Sequence, residues 1–179
     1  MPDVQPVAKP LPVAPGRQRV RTIGRLRPHC LPIFVHESVL ESILDYSEQD
    51  LRQERGGFLI GGFYHDQRQY IEVRSFLPAT ETRAGAASLR FTHDTWASLT
   101  REVDQRFPDE LVVGWQHTHP NLGVFLSGYD LFIHRNFFRE TWQVALVVDP
   151  VRQEFRFFQW QADEIVDCGF ICVQSESHG

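Results

Sequence analysis

Residues 111–130, LVVGWQHTHPNLGVFLSGYD, are the most informative stretch of the chain. The apolar run Leu111–Gln116 predicts a buried strand, and His117 and His119 follow at its end. Because alternate residues of a strand point to the same face, we expect the two imidazoles to lie side by side. Two such nitrogens can bind one metal ion at roughly 2.0–2.1 Å each. Pro120 ends the strand, since proline cannot donate to a sheet ladder.

A short loop, Asn121–Leu126, leads into a helix predicted over Gly128–Phe138, and the first turn of that helix contains Asp130. A carboxylate there can supply a third ligand and leaves a fourth tetrahedral position for water, as in catalytic zinc sites. Ser127 and Asp130 also have the S-x-x-D spacing of a helix capping box, which needs no metal. We expect both interpretations to hold, because a cap formed by Ser127 would fix Asp130 at the helix start.

A lone H-x-H pair is often only part of a buried strand, but the joint pattern H-x-H-P-x6-S-x-x-D favours a metal site. That pattern resembles the JAMM (MPN+, or JAB) family of zinc metalloproteases, which includes deubiquitinases. Glu54–Gly61 matches the family's E-x-x-G-x-x-x-G pattern, and Val112–Trp115 and Val147–Pro150 are similar too. The resemblance extends over Leu31–Val173. It implies a single α/β domain of the MPN, cytidine-deaminase-like fold, with a mixed β-sheet flanked by helices.

The resemblance implies a role for each matched residue. His117, His119 and Asp130 would be the ligands of one zinc ion per chain. Glu54 would be the general base, which deprotonates the attacking water and passes the proton to the leaving amine. Ser127 would donate a hydrogen bond to the developing oxyanion. Without the histidine motif, a surface charge would be the simpler interpretation of Glu54. By strand alternation, the residue between the two histidines points away from the metal and is expected to pack or to form hydrogen bonds.

The run around Ser127 and Asp130 is most similar to the branch that contains endosomal, linkage-selective deubiquitinases. That branch has a second, structural zinc with a ligand histidine two residues after the aspartate, where this chain has Phe132. Cys168 and Cys172 do not replace that branch's later Cys/His cluster, so one zinc is expected. The chain resembles a free-standing prokaryotic member, a group often encoded beside ubiquitin-like proteins and their activating or conjugating enzymes. Those proteins are the expected partners.

The function that the resemblance implies is zinc-dependent hydrolysis of the bond after the C-terminal glycine of a ubiquitin-like protein. One alternative is a processing peptidase that matures a ubiquitin-like or sulfur-carrier precursor. The others are a catalytically silent MPN scaffold, against which the complete residue set argues, and a small-amide hydrolase. In the family the substrate's C-terminus adds as an extra strand. The loop Pro78–Ala87 would shape that groove, and Asn121–Leu126 with Phe132–Phe138 would flank the scissile bond.

Composition limits the classes of partner. The 179 residues are 42% hydrophobic and 23% charged, and no apolar run approaches the roughly 18–20 residues of a membrane span. Residues 29–179 contain 22 acidic against 12 basic side chains, which argues against a nucleic-acid groove. The odd number of cysteines, Cys30, Cys168 and Cys172, fits a reducing cytoplasm, and we expect them to be buried and structural. The expected location is therefore cytoplasmic.

Residues 1–27 are rich in proline and arginine and are predicted to be a disordered arm, which leaves 28–179 as the metalloprotease domain. Lys9 in that arm is the only lysine of the chain. Of the remaining histidines, His65, His93 and His134 are predicted at surface or cap positions. Periodicity predicts helices over His36–Asp50 and Asp94–Phe107 and strands over Leu31–Val35, Gly56–Tyr64, Gln69–Leu77, Leu89–Thr92, Val144–Val148, Glu154–Trp160 and Glu164–Val173.

Overall fold

The computed structural model describes residues 3–13, 19–79 and 93–174, which form one mixed sheet with helices on both faces. The helices are α1 (Glu37–Glu48), α2 (His93–Arg106) and α3 (Gly128–Phe137). The strands are β1 (Val7–Ala8), β2 (Val20–Ile23), β3 (Ile33–His36), β4 (Gly56–His65), β5 (Gln69–Pro78), β6 (Leu111–Thr118), β7 (Val144–Asp149), β8 (Glu154–Gln161), β9 (Glu164–Cys168) and β10 (Phe170–Val173). They follow the order β2-β10-β3-β5-β4-β6-β7-β8-β9, and β1 pairs with β4. The predicted α/β class is confirmed.

The sheet is buried on both faces, and side chains of its central strand β4 pack into a different hydrophobic cluster on each face. Leu59 and Phe63 pack in a cluster that includes residues of α1, whereas Phe58 and Ile60 pack in a second cluster with residues of α2 and α3. Burial on both sides explains why β4 is apolar from Gly56 to Phe63 rather than alternating. The strand next to β4 is β6, so the histidine motif at the end of β6 follows a strand in the middle of the sheet.

A β-bulge in β6 changes the face to which its side chains point. Leu59 pairs with Gly114 and Ile60 pairs with Val112, so that Val113 is the extra residue. Val113 packs in the cluster with α1, whereas Trp115, two residues later, packs in the cluster with α2 and α3. A bulge re-aims the side chains that follow it. As a result, Trp115 and His117 both face α3.

Glycines let β4 and β6 approach each other beside the histidines. Gly56 pairs with His117, and a Cβ atom built on Gly56 would lie 2.0 Å from the carbonyl oxygen of Gln116. No side chain fits there, and the same holds for Gly57, the first glycine of the E-x-x-G-x-x-x-G pattern, where a Cβ atom would lie 2.2 Å from the carbonyl oxygen of Leu77. This pairing brings the residues just before β4 next to the end of β6.

The predicted strand over Glu164–Val173 is wrong in one respect, because the structure divides it into β9 and β10 at Gly169. β9 pairs with β8, whereas β10 lies between β2 and β3. Gly169 packs directly on the backbone near Gly24, where a Cβ atom on Gly169 would lie 2.5 Å from the carbonyl oxygen of Ile23. The predicted strand Leu89–Thr92 and most of the predicted loop Pro78–Ala87 lie outside the described residues.

The structure differs from the expected disordered arm in residues 3–13 and 19–27. In these ranges β1 runs parallel to β4 and β2 runs antiparallel to β10. The Lys9 ammonium bonds to the Glu72 carboxylate, and the Tyr70 hydroxyl donates to the carbonyl oxygens of Lys9 and Pro10. Composition did not reveal this docking, because the polar partners lie about 60 residues along the chain. The division of the chain at residue 27 stays a prediction.

Glu72 is expected to make the stability of the fold sensitive to acid. Burial alone would raise the pKa of this carboxyl, but hydrogen bonds from His36, Lys9 and Arg74 lower it to about 2. Since its ordinary value is 4.5, the stabilisation is complete above about pH 4.5 and is lost as the pH falls towards 2. We expect Glu72→Gln to lower the free energy of unfolding by about 3 kcal/mol at pH 7, and by much less at pH 3, in urea titrations.

Glu110→Gln is the control for that measurement. Glu110 also bonds to Arg74, but its side chain is 25% exposed against 2% for Glu72. A solvent-screened pair contributes about 0–1 kcal/mol. Equal losses in the two variants at pH 7 would contradict a special role for the buried carboxylate.

Candidate metal centre

Three side chains converge where β6 ends and α3 begins. His117 Nε2 lies 3.1 Å from His119 Nε2, and Asp130 Oδ2 lies 3.1 and 3.0 Å from these two nitrogens. All three residues are buried, and they are a group with metal-ligand geometry among the described residues. A tetrahedral ion with bonds of roughly 2.0–2.1 Å places its ligand atoms about 3.3 Å apart. The triangle therefore has the size that a zinc ion requires, and its N, N, O donor set suits zinc.

The backbone of the sheet fixes the two histidines. His117 pairs with Gly56 on one side and with Val147 on the other, and the His119 N–H donates to the carbonyl oxygen of Val148 at 2.8 Å. Thr118, between them, turns away from the triangle, as strand alternation predicts. Its hydroxyl oxygen accepts from a backbone N–H of residue 55 at 2.9 Å, which confirms the expected hydrogen-bonding role.

The capping box at the start of α3 places Asp130. Ser127 has an extended backbone, with φ −67° and ψ 171°, and its Oγ accepts from the Asp130 N–H at 3.1 Å. In return, Asp130 Oδ2 accepts from the Ser127 N–H at 2.8 Å. The capping interpretation of the S-x-x-D spacing is therefore confirmed, and the same carboxylate oxygen lies in the triangle of candidate ligand atoms.

In the triangle, the Asp130 carboxylate and the protonated His119 imidazole stabilise each other's charged form. Burial alone would raise the pKa of Asp130, but hydrogen bonds from His117 and His119 hold it well below its ordinary value. Burial alone would lower the pKa of His119, yet the hydrogen bond and charge of Asp130 raise it. Asp130 is thus a carboxylate throughout the neutral range, which is the state that binds a metal ion.

Glu54 lies at the edge of the triangle. Its Oε1 is 3.8 Å from His119 Nε2, and its side chain is 21% exposed, against 6% or less for the three buried residues. The backbone of the next residue, Arg55, is held by Thr118: its N–H donates to the Thr118 hydroxyl, and its carbonyl oxygen accepts from the Thr118 N–H. The Arg55 guanidinium lies 3.9 Å from the ring centre of Tyr46. The structure therefore brings Glu54 to the solvent side of the metal centre.

Ser127 is half-buried beside the triangle. Because its oxygen accepts the capping bond from Asp130, its own hydroxyl hydrogen is still available for donation. All five predicted site residues, Glu54, His117, His119, Ser127 and Asp130, thus lie in one place.

Asp149 is a positioning residue that sequence analysis noted only as part of a similar motif. Its buried carboxylate organises the loop after Pro120, where Asn121 and Gly123 have left-handed φ angles of 60° and 89°. It accepts backbone N–H bonds of 2.8–3.0 Å from Asn121, Gly123, Val151 and Arg152. The signal was an aspartate directly after a buried strand, where exposed backbone N–H groups need an acceptor.

Large apolar side chains are exposed around the metal centre. Leu122, Phe125, Tyr129 and Phe132 are 44–58% exposed, and Phe125 lies 4.9 Å from the His119 ring. We call these four side chains the apolar rim. Of the segment Phe132–Phe138, which was predicted to flank the scissile bond, Phe132 is exposed, whereas Phe138 is fully buried in the core.

The other singled-out residues lie away from the ligand triangle. His134 was predicted at a surface or cap position, and that prediction is wrong, because its side chain is fully buried under α3. His65 is exposed, as predicted, and His93 lies where side chains are not described. Cys30, Cys168 and Cys172 are buried and free, which confirms the structural interpretation. Among the described residues, no helix is long and apolar enough to cross a membrane.

The class that this fold and this site define is a mixed α/β domain with a His-His-Asp group that could hold a metal ion. Residues 29–141 match the model of a family described as JAB1/Mov34/MPN/PAD-1 ubiquitin protease, and the chain belongs to this family.

Curated relatives agree with that assignment. The ubiquitin carboxyl-terminal hydrolase RPN11 of Saccharomyces cerevisiae is 25% identical over 76% of this chain and 44% of its own length. COP9 signalosome complex subunit 5 of Caenorhabditis elegans is 40% identical over 41% of this chain and 20% of its own length. The chain spans less than half the length of these curated relatives.

A solved structure supports the fold. The solution structure of a protein from Desulfitobacterium hafniense matches with a TM-score of 0.59 at 21% identity, over 82% of this chain and 96% of that one. At this identity the match concerns the fold alone.

Proposed function

We propose that this chain is a zinc-dependent isopeptidase that hydrolyses the bond after the C-terminal glycine of a ubiquitin-like protein. The observation that carries the proposal is a triangle of buried ligand atoms 3.0–3.1 Å apart, with the Glu54 carboxylate 3.8 Å from one of them. Two imidazoles and one carboxylate leave a coordination position open, which is typical of catalytic rather than structural zinc sites. A silent scaffold would not need this residue set.

The side chains divide the work as follows. Bound zinc would act as a Lewis acid towards the scissile carbonyl and the attacking water. His117, His119 and Asp130 hold the ion. Glu54, at the solvent side, takes the proton of the water and delivers it to the leaving amine. Ser127 donates its free hydroxyl hydrogen to the carbonyl oxygen as negative charge develops there.

The surroundings of the site favour a protein as substrate. Of the exposed apolar rim, Phe125 stands 4.9 Å from the His119 ring, and Tyr129 stacks on Phe132, with Asp130 between them in sequence. Exposed apolar side chains grouped in this way typically mark an interaction surface. A small amide would instead need an enclosed pocket around the reacting bond. Family membership supports a ubiquitin-like protein as the substrate. The proposed further partners are its activating or conjugating enzymes, and the proposed location is the cytoplasm.

Cleavage of a defined conjugate tests the proposal. Ubiquitin, or a ubiquitin-like protein encoded beside this chain, is joined through its C-terminal glycine either to a lysine ε-amine or to the α-amine of a reporter peptide. We expect zinc-loaded protein to release the reporter from the lysine conjugate, and a chelator to lower the rate at least about 100-fold. Readdition of zinc should restore the rate.

The outcomes separate the candidate functions. Release from the α-amine fusion alone would support a processing peptidase and contradict the isopeptidase. A chelator-insensitive rate would contradict metal catalysis. The absence of release from either conjugate by protein with a full zinc content would overturn the proposed activity.

A further inference from the structure

His134 has a buried hydrogen bond that the ligand triangle does not explain. It lies one helical turn after Asp130 and is fully buried, and its Nδ1 accepts from the indole N–H of Trp115 at 3.0 Å. Its ring lies between aromatic neighbours, 6.1 Å from Phe138 and 5.4 Å from Trp160 between ring centres. Burial of a polar imidazole among aromatic rings is unfavourable unless its hydrogen bond has a role.

Trp115 connects that hydrogen bond to a metal ligand. Its indole stacks on the His117 imidazole, with ring centres 4.4 Å apart and planes 12° apart. On the other side Phe138 stacks on the same indole at 5.6 Å and 14°. The torsion that rotates a histidine ring about its Cβ–Cγ bond has broad minima, so rotamer preference alone does not fix the ring plane. The stacked indole therefore restricts the plane of His117, whose Nε2 also lies 3.1 Å from Asp130 Oδ2.

Helix α3 and strand β6 contact each other through two side-chain pairs. In the first pair, Asp130 Oδ2 lies 3.1 Å from His117 Nε2, and in the second, His134 Nδ1 accepts from Trp115 Nε1 at 3.0 Å. Four residues of helix rise about 6 Å, and two residues of strand rise about 6.6 Å. Because the rise from Asp130 to His134 along α3 nearly equals the rise from His117 back to Trp115 along β6, both pairs form at the same time.

The protonation of His134 suits an acceptor. Burial first, and the charges of Arg135 and His117 second, lower the pKa of His134 to about 4. At neutral pH the ring is therefore uncharged, with Nδ1 as acceptor and the proton on Nε2. Among the described residues, Nε2 has no hydrogen-bond partner, which costs stability that a phenylalanine would not cost. The acceptor at Nδ1 is the property that an apolar ring could not supply.

We propose that His134 is a positioning residue for the metal centre: it orients the Trp115 indole, and the indole in turn holds the His117 ring in the plane that binds the metal ion. The inference rests on the proposed function, since it assumes a metal ion at the triangle. It concerns metal binding itself, so that it is measured without any substrate.

Cobalt(II) is the probe, because its visible absorption reports the geometry of its ligands. His134→Phe keeps an aromatic ring but removes the acceptor, whereas His134→Asn keeps a side-chain oxygen near the position of Nδ1. We expect His134→Phe to weaken cobalt binding by about 10- to 100-fold and to change the visible spectrum. We expect His134→Asn to restore most of the affinity and the spectrum.

Three further variants keep the test decisive. Trp115→Phe removes the donor instead of the acceptor, and it replaces His134→Phe if that variant does not fold. If both single variants fold, the double variant should bind cobalt no more weakly than either, because the same bond is lost. Ile43→Val, in the core cluster on the α1 side, is the control for a general loss of packing and should bind cobalt normally.

The outcomes distinguish this inference from the proposed function. Normal cobalt affinity and spectrum in folded His134→Phe or Trp115→Phe would overturn the inference and leave the metal centre intact. Equal weakening in His134→Phe and His134→Asn would also overturn it, since packing rather than the acceptor would then matter. A wild-type chain that binds no cobalt or zinc would overturn both.

Discussion

Glu54→Gln is expected to abolish most of the turnover while leaving the fold and the zinc content unchanged. The side chain lies next to the ligand triangle without belonging to it, with Oε1 3.8 Å from His119 Nε2. An amide of the same size cannot take a proton from the attacking water. Removing a general base typically lowers the rate by about 100- to 10,000-fold, and we expect kcat to fall by that factor with little change in KM.

The control for Glu54→Gln is Glu48→Gln, at an exposed position at the end of α1. Both variants remove one negative charge, so that a difference between them reflects position rather than net charge. Zinc content is measured by elemental analysis on the same preparations used for the rates. A Glu54→Gln enzyme with wild-type kcat would contradict the general-base assignment, whatever its zinc content.

His117→Ala is expected to lose both zinc and turnover. It removes one of three ligand nitrogens and oxygens that lie 3.0–3.1 Å apart, and two remaining protein ligands do not hold zinc at a catalytic site. We expect zinc content to fall from about one ion per chain to near zero after dialysis. Because a ligand that binds only the folded state stabilises it, zinc should raise the Tm of the wild type and not that of the variant.

Two companions separate metal loss from damage to the core. His65→Ala removes a histidine from an exposed position at the end of β4 and should keep both zinc and turnover. Asp130→Asn keeps the size of the third ligand and a capping oxygen, yet removes its charge, and it should also lose zinc. Full zinc content in His117→Ala or in Asp130→Asn would contradict the ligand assignment.

The site could be predicted from the sequence because its residues lie in short segments with strong local signals. The H-x-H pair, the proline and the S-x-x-D box all fall within the 14 residues from His117 to Asp130. Strand alternation then orients the histidines, and the capping box orients Asp130. Glu54 is distant along the chain, and only the resemblance to a family connected it with the histidines before the pairing of Gly56 with His117 was known.

Features that depend on distant partners could not be predicted. Nothing near Lys9 indicates that it docks on Glu72, 63 residues away. His134 gives no local sign that a tryptophan on another element donates to it, and a single histidine on a helix usually faces solvent or caps an end. The division of the last strand at Gly169 also depends on contact with Gly24. In each case the deciding contact joins segments that the chain brings together only on folding.

The capping box of α3 has a consequence for how the metal enters. The oxygen of Asp130 that points at the two histidines is already held by the Ser127 N–H. The Asp130 side chain therefore loses its rotational freedom when the helix forms. A metal ion would bind to a preorganised ligand, and no further side-chain entropy of Asp130 would be lost on binding. A site formed in this way would release a bound metal ion and accept another without unfolding of α3.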